Sequence, residues 1–197
     1  MAEEFRYEKG ENAQSRRGYP MVLLHVCCAP DGTIPWKGLI QEGFRVRGFF
    51  YGSNIHPMEE YRKRKNAFLK LAEGLGAPFS LEAYEPHLWM EKTRAMASEK
   101  EGGARCRRCF DVQLRASALN ALLHGCTGLC TTLTISPHKD PSMINSIGRK
   151  ISLEYGLQWI VRVWRKNSGF LLSIKESERL DLYRQHYCGC CYSVRRR

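Results

Sequence analysis

Two patterns of hydrophobic and polar residues alternate along the chain. Short apolar runs, typical of strands buried on both faces, occupy residues 21–26, 44–51, 79–84, 128–136 and 157–164. Longer amphipathic stretches predict helices over residues 34–42, 59–75, 87–100, 106–124, 144–155 and 174–187. Three of the helices should end at Gly43, Gly76 and Gly156. Strands that alternate with helices predict a doubly wound α/β fold with a mainly parallel, five-stranded, Rossmann-like sheet.

The length of the chain limits the number of domains. A total of 197 residues suits one compact domain with a short appended piece. Residues 1–20 are polar and contain no apolar segment of a secretory signal, which predicts a flexible leader. We expect a single α/β domain over residues 21–197, with a C-terminal helical and cysteine-rich extension from about residue 165. No apolar run is long enough to span a bilayer, so we expect a cytoplasmic protein without a membrane partner.

Two polar segments follow predicted strands. Cys27, Cys28 and Asp31 come directly after the first strand, and residues 136–140 follow the fourth. The helix predicted from residue 34 places the two cysteines and the aspartate in a loop. In doubly wound folds, ligands bind outside the carboxyl ends of the strands. The topology therefore predicts that both segments line one site.

Nine cysteines are many for a cytosolic chain of this size. In a reducing compartment structural disulfides are rare, which favours metal binding or redox chemistry. Six of the cysteines form a CC pair, a CxxC motif and a CGC motif: Cys27, Cys28, Cys106, Cys109, Cys188 and Cys190. The remaining three are interpreted as buried core residues (Cys126 and Cys130) and as a neighbour of the CGC pair (Cys191).

The spacing of the cysteines indicates the kind of centre. Cys106 and Cys109 are three residues apart at a predicted helix start, so they share a face, and the arginines around them favour the thiolate form. Four thiolates suit an Fe₄S₄ cluster or a structural zinc ion, and their number does not separate the two. Zinc sites usually space their ligands, so the adjacent Cys27 and Cys28 favour a cluster.

The chain is strongly basic. Lys and Arg outnumber Asp and Glu by 31 to 20, which gives a formal net charge of +11. Basic residues cluster at 62–65, 105–108, 162–166 and 195–197. This excess of charge favours a polyanionic partner, and nucleic acid is the leading candidate.

Five motifs occur in a fixed order along the chain. They are HVCCAPD at 25–31, SNIHPMEEYRKR at 53–64, RCRRCF at 105–110, TTLTISPHKD at 131–140 and YRQHYCGCCYS at 183–193. As a set they resemble the QueH family of cobalamin-independent epoxyqueuosine reductases, which complete queuosine synthesis on tRNA. The resemblance extends from about residue 21 to the C-terminus.

The resemblance implies an oxidoreductase that reduces epoxyqueuosine to queuosine at the wobble position of a tRNA with a GUN anticodon, using an external electron donor. It implies that Cys27, Cys28, Cys106 and Cys109 hold an Fe₄S₄ cluster. It further implies a second, mononuclear iron with Asp31 as a ligand. Cys188 and Cys190 would form a redox-active pair or share in the metal site.

The same motifs contain the candidate substrate-binding residues His25, Asn54, His56, His138 and Lys139. The candidate proton donors are His25, His138, Lys139 and Asp140. Bases of a single-stranded anticodon loop are usually read by stacking, for which the candidates are Tyr51, His56, Trp164 and Tyr192. For Trp164 a place in the core is the better expectation.

Two other functions compete with the reductase. A zinc-stabilised RNA-binding module would be colourless and stable in air, and would lose its metal only on unfolding. An ATP-dependent tRNA-thiolating enzyme should carry a glycine-rich phosphate loop after the first strand. That place holds Cys-Cys-Ala-Pro-Asp instead, so we rank both alternatives below the reductase.

Overall fold

A five-stranded parallel sheet organises the computed structural model, which describes residues 20–193. Its strands are β1 (Met21–His25), β2 (Arg45–Phe50), β3 (Phe79–Leu81), β4 (Gly128–Thr131) and β5 (Gln158–Trp159). The strand order is β3-β2-β1-β4-β5, and every neighbouring pair is parallel. Strands β2 and β3 therefore lie on one side of β1, and β4 and β5 lie on its other side. The predicted doubly wound, Rossmann-like fold is confirmed.

Within residues 20–193, six α-helices cover the two faces of the sheet: α1 (Ala29–Gln41), α2 (Met58–Gly74), α3 (Pro86–Thr93), α4 (Ala104–Leu123), α5 (Pro141–Glu154) and α6 (Gly169–Arg179). Helix α1 packs on α2 and α6, whereas α4 packs on α3 and α5. Successive side chains of β1 point to opposite faces. Val22 and Leu24 therefore pack in one core cluster with Phe68, and Leu23 packs in the other with Leu114.

The first helix begins earlier than the sequence predicts. Helix α1 starts at Ala29, directly after Cys28, so a connection of only three residues, Val26 to Cys28, separates β1 from α1. Pro30 lies in the first turn, where its missing N–H costs no helical hydrogen bond. Asp31 is consequently a helical residue, and its carboxylate lies near the positive end of the helix.

The last strand and the last helix also differ from their predictions. Strand β5 has two residues instead of eight, and they pair with Gly128 and Leu129 at the start of β4. Helix α6 begins at Gly169 and ends at Arg179, eight residues before the predicted end at residue 187. Asp181 adopts a positive φ of 48°, and Leu182 N–H donates to Ser177 C=O, which closes the helix. The sequence does not signal this end, since no glycine marks it.

The predicted helix ends agree with the structure, whereas one predicted buried position of α4 does not. The helix ends predicted at Gly43, Gly76 and Gly156 are confirmed, and all three glycines have positive φ. The spacing of Phe110, Leu114, Ala118 and Leu122 by four residues predicts a buried stripe on α4; the first three are buried, whereas Leu122 is 49% exposed. A spacing of four residues drifts around a helix with 3.6 residues per turn, so Ala121 takes the buried position instead.

The leader predicted over residues 1–20 and the basic cluster 195–197 fall outside the described residues, apart from residue 20. Within residues 20–193, every helix is too short or too polar to cross a bilayer.

Gly48 on β2 permits a close contact between the sheet and α1. A Cβ atom built on Gly48 would overlap the indole ring of Trp36, a fully buried side chain of α1. We expect Gly48→Ala to lower the free energy of unfolding by about 2 kcal/mol, because overpacking forces a buried ring to move. Urea denaturation measures this change. The control is Gly74→Ala at the end of α2, where the added Cβ meets no atom within 4 Å; equal stability of both variants would contradict the expectation.

Candidate metal-binding active site

A cleft of about 900 Å³ opens at the carboxyl edge of the sheet. Six thiols line it, two from the end of β1, two from the start of α4 and two from the C-terminal segment: Cys27, Cys28, Cys106, Cys109, Cys188 and Cys190. All of them are free. The segment 136–139 after β4 lines the same cleft, as the topology predicted.

The other three cysteines lie elsewhere. Cys126 and Cys130 are buried in the two core clusters, which confirms their interpretation as core residues. Cys191 is half-buried next to the CGC motif and is not among the residues that line the cleft.

Cys27, Cys28 and Asp31 form a compact group of ligand atoms at the start of α1. The two Sγ atoms are 3.9 Å apart, and Cys27 Sγ lies 3.3 Å from Asp31 Oδ2. One ligand atom from each residue falls within 4.8 Å of the others, which is the spacing needed to hold one cation. The short connection from β1 into α1 causes this grouping, because it places Asp31 in the first turn of the helix, four residues after Cys27.

Burial makes negative charge costly in this group. The pKa of the Cys28 thiol is raised well above its usual value by burial, by a hydrogen bond with Cys27 and by the neighbouring carboxylate of Asp31. Burial also raises the pKa of Cys109 and of Cys188. Several thiolates in one buried cleft therefore require a positive charge among them.

Lys139 supplies one positive charge at the same cleft. Burial alone would lower the pKa of its ammonium group, but the nearby Cys188, Cys27 and Asp31 reverse this effect and raise the pKa above its usual value. Lys139 therefore stays protonated at neutral pH and faces the thiols of the cleft.

Nitrogen donors point at the sulfur atoms from several elements. Gln185 Nε2 donates to Cys28 Sγ at 2.8 Å, and the backbone N–H of Gly102 donates to Cys106 Sγ at 3.2 Å. Cys109 Sγ accepts from Trp89 Nε1 at 3.3 Å and from Gln113 Nε2 at 3.0 Å. Donors of this kind stabilise the thiolate form that binds metal.

Sequence reasoning missed Trp89, Gln113 and Gln185. Trp89 and Gln113 lie on α3 and α4, and neither belongs to a motif that indicates chemistry by residue type. Gln185 lies inside the segment 183–193, three residues before Cys188, which is the one available signal for it.

Two predicted substrate-binding residues, His25 and His56, are not among the residues that line the cleft, and their substrate roles stay predictions. His25 is fully buried, and its Nδ1 lies 2.9 Å from Thr131 Oγ1. Burial lowers the pKa of His25 to about 3, which makes the ring neutral. His56 packs its ring against Trp89 at a centroid distance of 5.4 Å, and its backbone N–H donates to Gly189 C=O. Both histidines therefore support the residues around the thiols.

Asn54, His138 and Lys139 do line the cleft, so their substrate roles stay predictions. Asp140 caps α5 by accepting from Ser142 N–H at 2.8 Å, and it is not among the cleft residues.

Three of the four stacking candidates pack against other side chains of the protein: Tyr51, Trp164 and Tyr192. Tyr51 is buried in a core cluster, and Trp164 packs on the other and donates through Nε1 to Thr131 C=O. Tyr192 packs against Trp89, and the guanidinium of Arg105 lies 4.9 Å from the centre of its ring. Arg105 itself is buried, so part of the basic cluster 105–108 has a structural role.

Comparison with known proteins gives a consistent family match. The model of the family described as Epoxyqueuosine reductase QueH matches residues 22–196. A relative of that name from Streptococcus pyogenes serotype M1 is 36% identical over 182 residues, which cover 89% of this chain and 71% of the relative. Relatives of the same name from Haemophilus influenzae and Thermotoga maritima are each 36% identical as well; the aligned residues cover 90% and 88% of this chain, and 73% and 90% of the relatives.

Two solved structures share the fold at low sequence identity. One is the U34-tRNA thiolase NcsA from Methanococcus maripaludis with its [4Fe-4S] cluster, with a TM-score of 0.56 and 13% identity over 89% of this chain and 60% of that one. The other is described as a predicted subunit of tRNA methyltransferase from Methanocaldococcus jannaschii, with a TM-score of 0.53 and 12% identity over 78% of this chain and 74% of that one. At such identities the likeness concerns the fold alone.

The hydroxyl of Thr131 joins β4 to the floor of the cleft. It forms a hydrogen bond with Nδ1 of the buried His25 ring and accepts a hydrogen bond from Leu133 N–H at 3.2 Å. We expect Thr131→Val to lower the free energy of unfolding by about 2 kcal/mol, since it leaves two buried polar groups without this partner. Urea denaturation tests this expectation. Thr127→Val, at an exposed threonine, is the matched control. A similar loss of unfolding free energy in both variants would show that the contact between Thr131 and His25 does not stabilise the fold.

Proposed function

This chain is an oxidoreductase of the epoxyqueuosine reductase QueH family, and we propose that it reduces epoxyqueuosine to queuosine at the wobble position of tRNA. The observation that carries the proposal is the convergence of six thiols and Asp31 on one cleft at the carboxyl edge of the sheet. We assign the whole reaction to one α/β domain of residues 21–197. Because free thiols persist in a reducing compartment, we place the reaction in the cytoplasm.

The donor set of the cleft fits an Fe₄S₄ cluster. Cys27, Cys28, Cys106 and Cys109 would hold it, since all four thiols line the cleft and three of them accept nitrogen donors. The carboxylate of Asp31 suits a second, mononuclear iron. Ferrous iron is a relatively hard metal centre, and a hard carboxylate oxygen suits it better than thiolates alone do. The archaeal thiolase shows that a protein of this fold can carry a [4Fe-4S] cluster.

Converting an epoxide to an alkene requires two electrons and two protons, and the oxygen leaves as water. When bound, the iron centres would supply electrons singly and a Lewis acid for the epoxide oxygen. The thiols of Cys188 and Cys190 could return two electrons and two protons by forming a disulfide, which balances one turnover. An external donor would then reduce the disulfide again. The ammonium of Lys139 faces the same cleft and can donate a proton to the leaving oxygen.

The surface around the cleft suits a single-stranded RNA loop. His138, Lys139, Arg184 and His186 line its mouth and add positive charge or hydrogen-bond donors, whereas Asn54 offers an amide inside. Anticodon loops present splayed bases above a phosphate backbone, so both kinds of contact are needed. A tRNA with a GUN anticodon is the substrate that we assign.

The thiolating alternative has no support from the local structure. A phosphate-binding loop after β1 requires glycines and free backbone N–H groups. Cys28 instead caps α1 directly, and its side chain faces the cleft. The zinc-stabilised RNA-binding module differs from the reductase in its metal, and the experiment below separates the two.

The decisive experiment is anaerobic purification followed by metal, sulfide and absorption analysis, and then incubation with epoxyqueuosine-containing tRNA and a reductant. We expect about four or five irons per chain, acid-labile sulfide and a brown colour that dithionite bleaches. The tRNA should then contain queuosine. Zinc without sulfide, together with unchanged tRNA, would refute the proposal and support the zinc module.

Substitutions at the thiols test the ligand assignment. We expect Cys28→Ala to lower acid-labile sulfide by about tenfold or more, because a cluster needs each of its thiolates. Asp31→Asn should retain the sulfide and lose about one iron per chain. Sulfide and iron analysis of anaerobically purified protein measures both changes. Cys126→Ala serves as the control, since Cys126 lies in the core away from the cleft; a loss of sulfide in that variant would invalidate the assignment.

Salt dependence tests the contact with RNA. If about three phosphates are neutralised, the affinity for the tRNA should fall about tenfold or more between 50 and 200 mM salt. Arg184→Gln at the mouth of the cleft should reduce the slope of log affinity against log salt by about 0.7. Filter binding or anisotropy gives both values. Arg179→Gln is the control, because Arg179 is exposed on α6 and is not among the residues that line the cleft; equal slopes for the two variants would exclude Arg184 from the interface.

A further inference from the structure

The segment that carries Cys188 and Cys190 depends on side chains for its position. After α6 ends at Arg179, residues 180–190 form neither helix nor strand. Both thiols nevertheless line the same cleft as Cys27 and Cys28, and Cys190 is buried. Groups outside the segment must therefore hold its backbone in place.

Arg64 of α2 makes the principal contacts with this segment. Its Nη1 donates to Cys188 C=O and its Nη2 to Tyr187 C=O, both at 3.0 Å. The third direction of the guanidinium is used as well, since Nε donates to Glu60 Oε1 at 2.7 Å. The side chain of Arg64 is only 3% exposed, so these bonds are shielded from water.

Glu60 links the arginine to the same segment a second time. Its Oε2 accepts from Tyr183 O–H at 2.7 Å while its Oε1 accepts from Arg64. The guanidinium also lies over the ring of Tyr187, 5.2 Å from its centre. A single ion pair on α2 thus contacts the segment at three points, at Tyr183, Tyr187 and Cys188.

Gly189 shows how closely the segment approaches the arginine. A Cβ atom on Gly189 would lie 2.8 Å from Arg64 Nη1, and its φ of 111° also favours glycine. The carbonyl of Gly189 accepts from the backbone N–H of His56 at 2.8 Å. Three consecutive carbonyls, at residues 187, 188 and 189, are therefore fixed by donors from outside the segment.

We propose that Arg64, oriented by Glu60, is a positioning residue that fixes the backbone of the CGC motif so that Cys188 and Cys190 face the other thiols of the cleft. The contacts of Arg64 and Glu60 do not depend on which reaction the protein catalyses, whereas the consequence for turnover rests on the function proposed above. The planar fork of the guanidinium is essential, because one ammonium group cannot donate in the plane to two carbonyls and a carboxylate together. Lysine at this position would keep the charge and lose the geometry.

Hydrogen–deuterium exchange of the full chain, purified anaerobically with the metal it holds, tests the positioning directly. In Arg64→Lys we expect exchange at least about tenfold faster in the peptide covering residues 186–191, because local opening costs less once charge-assisted bonds are lost. The peptide with the His56 amide should accelerate too, although it lies on another element, since that amide bonds Gly189. Exchange at the wild-type rate in both peptides would overturn the proposal.

Two further variants keep the test decisive. Arg149→Lys is the matched control, an exposed arginine on α5, and we expect wild-type exchange in both peptides. If Arg64→Lys also loosens the peptide that contains β1, the protein is destabilised globally and Tyr183→Phe decides. That variant removes only the hydroxyl bond to Glu60, and we expect about threefold faster exchange confined to residues 183–191. No change in that segment would then refute the proposal.

Turnover provides an independent readout. With epoxyqueuosine-containing tRNA, Arg64→Lys should lower kcat about tenfold and leave KM within about twofold, because the thiols are misplaced while the RNA surface is intact. Arg149→Lys should leave both constants unchanged. A higher KM with unchanged kcat would instead assign Arg64 to RNA binding and overturn the positioning role. If the wild-type protein does not convert the tRNA, the proposed function fails, and the exchange rates still decide the role of Arg64.

Discussion

The three-residue connection from β1 into α1 is the constraint on which the site depends. β1 is the central strand of the sheet, so its carboxyl end lies at the point where the two halves of the fold diverge. Because the helix starts at Ala29, two adjacent thiols and the carboxylate of Asp31 are gathered within a few ångströms. The other elements bring their thiols to this fixed group.

The cleft concentrates groups that oppose one another when they are charged. Buried thiols resist ionisation, and each thiolate makes the next one harder to form. The protein offsets this cost with nitrogen donors to sulfur and with the ammonium of Lys139, and a bound cation would complete the compensation. Loss of such a cation would return the buried thiols to their neutral, protonated form, because their pKa values are raised by burial.

The third pair of thiols is held in a different way from the other two. Cys27 and Cys28 are fixed by a strand and a helix, and Cys106 and Cys109 by the first turns of α4. The C-terminal pair has no such frame and relies on the buried Arg64 and Glu60. If this pair forms a disulfide during turnover, as proposed above, it needs some freedom to move, and a segment fixed by a few side chains provides it more easily than a helix does.

The sequence by itself determined the fold class, the convergence of the segments after β1 and β4, and the grouping of six cysteines apart from the core pair. These features follow from local periodicity and from the rule that parallel strands share one carboxyl edge, so they need no knowledge of packing. Only the tertiary structure decided the start of α1, the early end of α6, the burial of His25 and the partners of Arg64. Each of these depends on contacts between residues distant in the chain, such as His25 with Thr131 or Arg64 with Cys188, and no local pattern records which side chains will meet.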